Sequence, residues 1–225
     1  MGGGCGFTFY SGNQRGSSLP FVEKGYSEFR PSYFLELNKE LSSAKEFGVK
    51  FMHAQFLTAK HSDISIYAMR GEFEELSFNF HKSINDNVDL ASGCFTYNVI
   101  YGLGVINFRS MMFTIPTKEN PTQNMLSSVG YSPGYGDAYI INRLYAGTAN
   151  LGFEIGARLN SHVLVYFENV FTLCSTTKLS GNLYRISYLP PDAYFFSGIG
   201  IYYRMPSQRL GCHKGPRRFA LFQHQ

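Results

Sequence analysis

Asn150-Leu151-Gly152-Phe153-Glu154-Ile155-Gly156-Ala157-Arg158 alternates without a break. Successive side chains of an extended strand point to opposite faces. Leu151, Phe153, Ile155 and Ala157 therefore share one face, which Leu159 continues. Asn150, Gly152, Glu154, Gly156 and Arg158 share the other. One face is apolar; the other carries charges and glycines. The fold follows from how often this pattern recurs.

It recurs along most of the chain. Residues 3–10 set Cys5, Phe7 and Phe9 against Gly4, Gly6, Thr8 and Tyr10. Residues 32–39 set Tyr33, Leu35 and Leu37 against Phe34, Glu36 and Asn38. Residues 46–56 set Phe47, Val49 and Phe51 against Gly48, Lys50 and Met52, and residues 73–82 set Leu76, Phe78 and Phe80 against Glu75, Ser77 and Asn79. Residues 94–108 set Tyr97, Val99, Tyr101, Leu103 and Val105 against Asn98, Ile100, Gly102 and Gly104. Residues 162–173 set Val163, Val165, Phe167 and Phe171 against Tyr166, Glu168 and Thr172, with Asn169 interrupting the apolar face. Residues 193–205 set Phe195, Ile199, Ile201, Tyr203 and Met205 against Phe196, Gly198, Gly200, Tyr202 and Arg204. With 146–159 these make eight segments, mostly about ten residues long, and a tilted strand needs about 9–11 to cross a bilayer.

The segments are joined by connections that alternate in length: 11–31 long, 38–45 short, 57–71 longer, 83–93 modest, 109–145 longest, 160–161 tight, 174–192 long. That sorting by side is the habit of bacterial outer-membrane barrels, with short periplasmic turns and long extracellular loops. The sequence thus predicts an all-β, eight-stranded antiparallel transmembrane β-barrel over 1–205, both termini periplasmic, and a basic periplasmic tail over 206–225.

Composition agrees. Charged residues are 16 % of the chain, below the roughly 25 % usual for soluble domains. Phe and Tyr number 21 and 16, which favours pleated surfaces. Mean hydropathy is −0.15 and no apolar run reaches helix-spanning length, which excludes a helical membrane protein. The net charge of +4, with no compact basic and aromatic patch, argues against nucleic-acid binding. The start, Met1-Gly2-Gly3-Gly4-Cys5-Gly6, lacks the basic and apolar regions of a signal peptide, which weighs against export of the chain as given.

Lipid and water make opposite demands on such strands. In water the apolar face turns inward; in a bilayer it turns out, and every backbone group must pair within a closed sheet. The other face carries Glu36, Lys50, Glu75, Glu154, Arg158, Glu168 and Arg204. Charges of both signs in a narrow lumen can pair, so these seven are the expected lumen ion-pair network of a plugged barrel without a pore. The inward glycines make room for bulky neighbours, and Tyr10, Tyr33, Tyr97, Tyr194 and Tyr203 fall where interfacial belts lie. A water-soluble barrel binding an apolar ligand is the competing reading.

Several runs resemble small outer-membrane barrels of Bacteroidetes: Phe7-Thr8-Phe9-Tyr10-Ser11-Gly12-Asn13, Arg30 to Leu37, Phe95 to Val105, and Gly152 to Arg158 with the Glu168 strand. The chain is similar to the PorG-like family of the type IX secretion system over about residues 3–205. That resemblance implies a structural role in protein secretion at the outer membrane, with a periplasmic ring of PorK lipoprotein and PorN type as partner. Gly12-Asn13 stands where the family often has Gly-Asp.

The basic tail with apolar anchors is the candidate partner-binding segment, through Arg209, Cys212, His213, Lys214, Arg217 and Arg218. For Cys212 the alternatives are a disulfide to Cys94, a disulfide to a partner, or a free thiol; Cys5 and Cys174 complete the set, and no CxxC pair suggests zinc. The alternative of a lipid-acting barrel enzyme would draw on His53, His61, Ser62 and Asp63, but residues adjacent on one loop rarely assemble a triad. His81 and Glu75 read as core polar partners. Gly102 with Gly104 and Gly198 with Gly200 lack the Lys-Ser/Thr and following helix of a nucleotide loop. No cofactor, metal, small-molecule substrate or enzymatic activity is expected; lipid is.

Overall fold

The computed structural model describes residues 1–11, 30–42, 44–61, 66–84, 95–114, 125–132, 139–140, 143–160, 162–179 and 191–204. They form β1 (Gly2–Ser11), β2 (Arg30–Ser42), β3 (Lys45–His61), β4 (Ile66–Ser83), β5 (Phe95–Thr114), β6 (Met125–Val129), β7 (Tyr131–Ser132), β8 (Tyr139–Ile140), β9 (Leu144–Arg158), β10 (Val163–Cys174) and β11 (Ala193–Tyr203). Eight of these close a barrel. β1 to β5 pair in sequence, β5 pairs β9, β9 pairs β10, β10 pairs β11, and β11 returns to β1, all antiparallel. The seam is complete: Gly2 faces Tyr202 and Ser11 faces Ala193.

One end of the barrel holds residues 1 and 204 and the connections after β2, β4 and β9; the other holds the remaining connections. We call them the termini end and the loop end. β3, β4 and β5 run past their neighbours at the loop end, with 17, 18 and 20 residues. The projecting end of β5 pairs with β6, Ser110 opposite Val129, after its nearer part has paired with β9 as far as Phe108. β7 and β8 form a separate two-stranded ribbon.

The pleat sorts side chains as the alternation requires. Leu103, Leu151 and Ile199 on the outer face are 68 %, 61 % and 58 % exposed, whereas Glu36, Glu154 and Glu168 on the inner face are 1 %, 2 % and 1 % exposed. A water-soluble barrel would show the reverse, so the soluble reading is overturned. An apolar exterior around buried charges is stable only where hydrocarbon wets the outside.

Three details differ from the sequence expectation. The third connection, expected over 57–71, shrinks to 62–65, because β3 and β4 continue to His61 and from Ile66. The 109–145 connection contains the end of β5 and three short strands. Tyr10 and Tyr194 are not interfacial: both point inward and are 1 % and 0 % exposed. Their even positions put them on the lumen side of the pleat, a parity that outranks their nearness to strand ends.

Candidate functional site

The interior is layered along the barrel axis. At the loop end lies an apolar plug. Tyr10, Phe56, Phe73, Ile106, Phe108 and Leu179 are all at most 1 % exposed. Phe73 packs on the Tyr194 ring at 4.6 Å and Tyr10 on Phe56 at 5.7 Å. The segment after β10 folds over the mouth, where Ser175 exchanges hydrogen bonds with the Gly147 backbone and brings Leu179 into the plug. Tyr10 donates its hydroxyl to Asp192.

Below the plug sits Glu75. Its carboxylate accepts from the Tyr194 hydroxyl, from Thr148 Oγ1 at 3.0 Å and from Asn150 Nδ2 at 3.0 Å. Asn150 Oδ1 in turn accepts from Thr172 at 3.0 Å. Neutral donors from β9 and β11 therefore replace the water that a carboxylate loses on burial, and Thr172 of β10 holds Asn150 in place.

At mid-height, Lys50 Nζ lies 2.6 Å from Glu168 Oε1. The ammonium also lies 4.3 Å from the Phe34 ring centroid and 4.7 Å from that of Phe196, a cation between two aromatic faces. The pair spans the lumen from β3 to β10.

Nearer the termini end, His81 is held between two carboxylates, with Nε2 2.9 Å from Glu36 Oε1 and Nδ1 3.5 Å from Glu154 Oε2. Tyr202 donates to Glu36 at 2.5 Å, and Asn98 Nδ2 donates to Glu154 at 2.8 Å. Tyr202 stacks on Tyr166 at 4.1 Å, with the planes 11° apart. These rings lie flat against the wall because β1 and β11 carry glycine beneath them: a Cβ at Gly2 would overlap Tyr202, and one at Gly200 would overlap Tyr166. Below this layer a cavity of about 510 Å³ opens at the termini end, lined by Asn98, Arg158, His162 and Arg204 among others.

Five of the seven residues expected in the lumen network line the buried interior: Glu36, Lys50, Glu75, Glu154 and Glu168. Arg158 and Arg204 do not reach it. Both are exposed at the cavity mouth, where β9 and β11 end and the lumen opens to water. Arg204 instead meets Glu46 at 3.2 Å. The side chain that bridges Glu36 and Glu154 is His81, which a count of Lys and Arg passes over. Its inward parity with Glu75 is legible, but its partners are Glu36 and Glu154, contributed by β2 and β9.

Arg209, Cys212, His213, Lys214, Arg217 and Arg218 lie outside the described residues, as do Cys94, Ser62 and Asp63. Cys5 and Cys174 are free thiols, one exposed on the outer face and one buried. His53 faces outward with Nδ1 3.9 Å from Glu74, away from any inward nucleophile. Among the described residues no His, Cys, Asp and Glu group is arranged to hold a metal ion.

No family model and no curated protein matches the chain. Among solved structures it is similar to Neisserial surface protein A at 5 % identity, covering 91 % of this chain and 95 % of that one, with a TM-score of 0.47. It is similar to Ail, the attachment invasion locus protein of Yersinia pestis, at 9 % identity, 91 % and 95 % coverage and a TM-score of 0.44. Acinetobacter baumannii CarO2 follows at 8 % identity, 90 % and 99 % coverage and a TM-score of 0.37. The architecture rests on the strand pairing above, with these likenesses beside it.

Proposed function

We propose that this chain is a sealed bacterial outer-membrane barrel that serves as a structural anchor in a protein-secretion machine of the type IX kind. The observation that carries the anchor reading is the filled interior. From Phe73 through Glu75 and Lys50 to His81, each layer is buried, and Glu75, Lys50 and His81 all meet polar partners inside the lumen. A closed lumen excludes water and solute, which leaves the walls, the loops and the termini end as working surfaces.

In this reading the termini end faces the periplasm. Its cavity mouth and the basic segment 206–225 then lie where a periplasmic ring of PorK lipoprotein and PorN type would dock. The secretion assignment draws on the resemblance of residues 7–13, 30–37, 95–105 and 152–158 to PorG-like barrels. Membrane fractionation, heat-modifiable gel mobility and planar-bilayer recording test the anchor. The expected outcome is an outer-membrane, heat-modifiable protein with no conductance; steady ion conductance by the pure barrel overturns it. Deleting residues 206–225 should reduce co-purification of the ring proteins, and undiminished recovery rules out docking through that segment.

A further inference from the structure

Among the described residues, Asn169 and Ser197 interrupt the apolar outer face of the short β10–β11–β1 wall at mid-depth. Asn169 lies in the middle of β10, with Val163, Val165 and Phe167 outward on one side of it and Phe171 and Leu173 on the other. Directly opposite on β11 is Ser197, also outward. Phe153 flanks Asn169 across β9, and Phe7 flanks Ser197 across β1. Among the described residues neither the Asn169 amide nor the Ser197 hydroxyl makes a hydrogen bond. Hydrocarbon offers a carboxamide no partner, so lipid is a poor cover for this spot.

What fits it must lie inside the bilayer and bring both a donor and an acceptor. A carboxamide is both at once, and so complements itself. The wall around it bears no charge: the outward residues of β1, β10 and β11 are Gly, Ala, Cys, Phe, Val, Asn, Leu, Ser, Ile and Tyr. Two such walls can meet without burying an unpaired ion. A two-fold axis along the membrane normal presents the same patch on both subunits. Resting on the membrane-embedded reading above, we infer that the β10–β11–β1 wall is the contact between two copies of this chain. Asn169 of each copy donates its amide N–H to Asn169 Oδ1 of the other, and the flanking Phe7, Phe153 and Phe167 rings exclude lipid around the pair, in the manner of a polar interface centre ringed by apolar contacts.

The test uses the full chain in native membranes. In a background with the natural cysteines replaced by serine, Asn169→Cys should give a disulfide-linked dimer on mild oxidation. Leu76→Cys, outward on the opposite wall, should give little. With the natural cysteines kept, Asn169→Leu should weaken dimerisation about tenfold, read by energy transfer between labelled copies in vesicles, while heat-modifiable mobility stays that of wild type. Equal cross-linking at both positions, or Asn169→Leu dimerising like wild type, overturns the inference. A chain that stays embedded but monomeric at high protein-to-lipid ratio breaks this inference alone. A chain that stays folded without detergent breaks the membrane reading beneath it.

Discussion

Two walls of one barrel solve different problems. The β3–β4–β5 wall is tall, at 17, 18 and 20 residues; the β10–β11–β1 wall is short, at 12, 11 and 10. Both are apolar outside over their middle, the tall wall from Phe47 and Phe80, just inside the exposed Lys45 and Lys82, to Phe51 and Leu76. Above Phe51, Leu76 and Val105 the tall wall changes character, and its outward positions become His53, Gln55, Glu72, Glu74, Asn107 and Arg109. Arg143 reaches both carboxylates, 3.2 Å from Glu72 and 2.8 Å from Glu74, while Arg109 pairs with Glu72. The outward row of the short wall has no charged residue at any height. The lesson is that strand length and solvent are independent here: one strand can leave the bilayer without ending, and its outward chemistry, not its hydrogen bonding, marks where it does so.

The largest effect should come from cutting the tie between the walls. Lys50→Met leaves Glu168 buried without a counter-charge and should cost about 3–5 kcal/mol. The double variant Lys50→Met/Glu168→Leu should return close to wild type. Urea titration in micelles, read by heat-modifiable mobility, measures both. Equal losses in the single and double variants would mean that the ion pair is not what joins the walls.

The contrast in solvent sharpens next. Arg in place of Phe167, at mid-depth on the short wall, should cost about 2–4 kcal/mol, whereas Gln55→Arg on the projecting part of the tall wall should cost about 0–1 kcal/mol. Similar costs at the two sites would erase the proposed boundary. Within the short wall, Gly200→Val should cost about 1–3 kcal/mol by forcing its side chain into the Tyr166 ring. Adding Tyr166→Leu should recover part of that loss in the same titration. The smallest effect belongs to the half-buried ionic rail of the tall wall. Arg143→Ala should cost less than about 1 kcal/mol, and the difference should vanish at high salt.

The same contrast explains what was legible in the sequence. Every barrel strand showed itself where one solvent wets its outer face throughout, as on β10 and β11. β3, β4 and β5 were read short because the alternation signal fades at His53, Glu74 and Asn107, where the outside becomes aqueous and both faces can be polar. Within the lumen, parity placed Glu36, Lys50, Glu75, Glu154 and Glu168 on the inner face. Partnership was not legible, because Lys50 with Glu168 and His81 with Glu36 join strands that are not neighbours in the sheet. Arg158 and Arg204 had the right parity but the wrong height. Parity says which way a side chain points and nothing of whether the barrel still encloses it there.

The seam between β1 and β11 sets an order of events. Gly2 pairs with Tyr202, and the Tyr203 amide donates to the Met1 carbonyl at 2.7 Å, so the first and last strands meet along their whole length. The cylinder cannot shut until residue 203 has been synthesised and delivered. Until then the sheet has two open edges, each a row of unmet backbone groups ready to pair with another chain. Assembly therefore needs something to shield both edges until the last strand arrives.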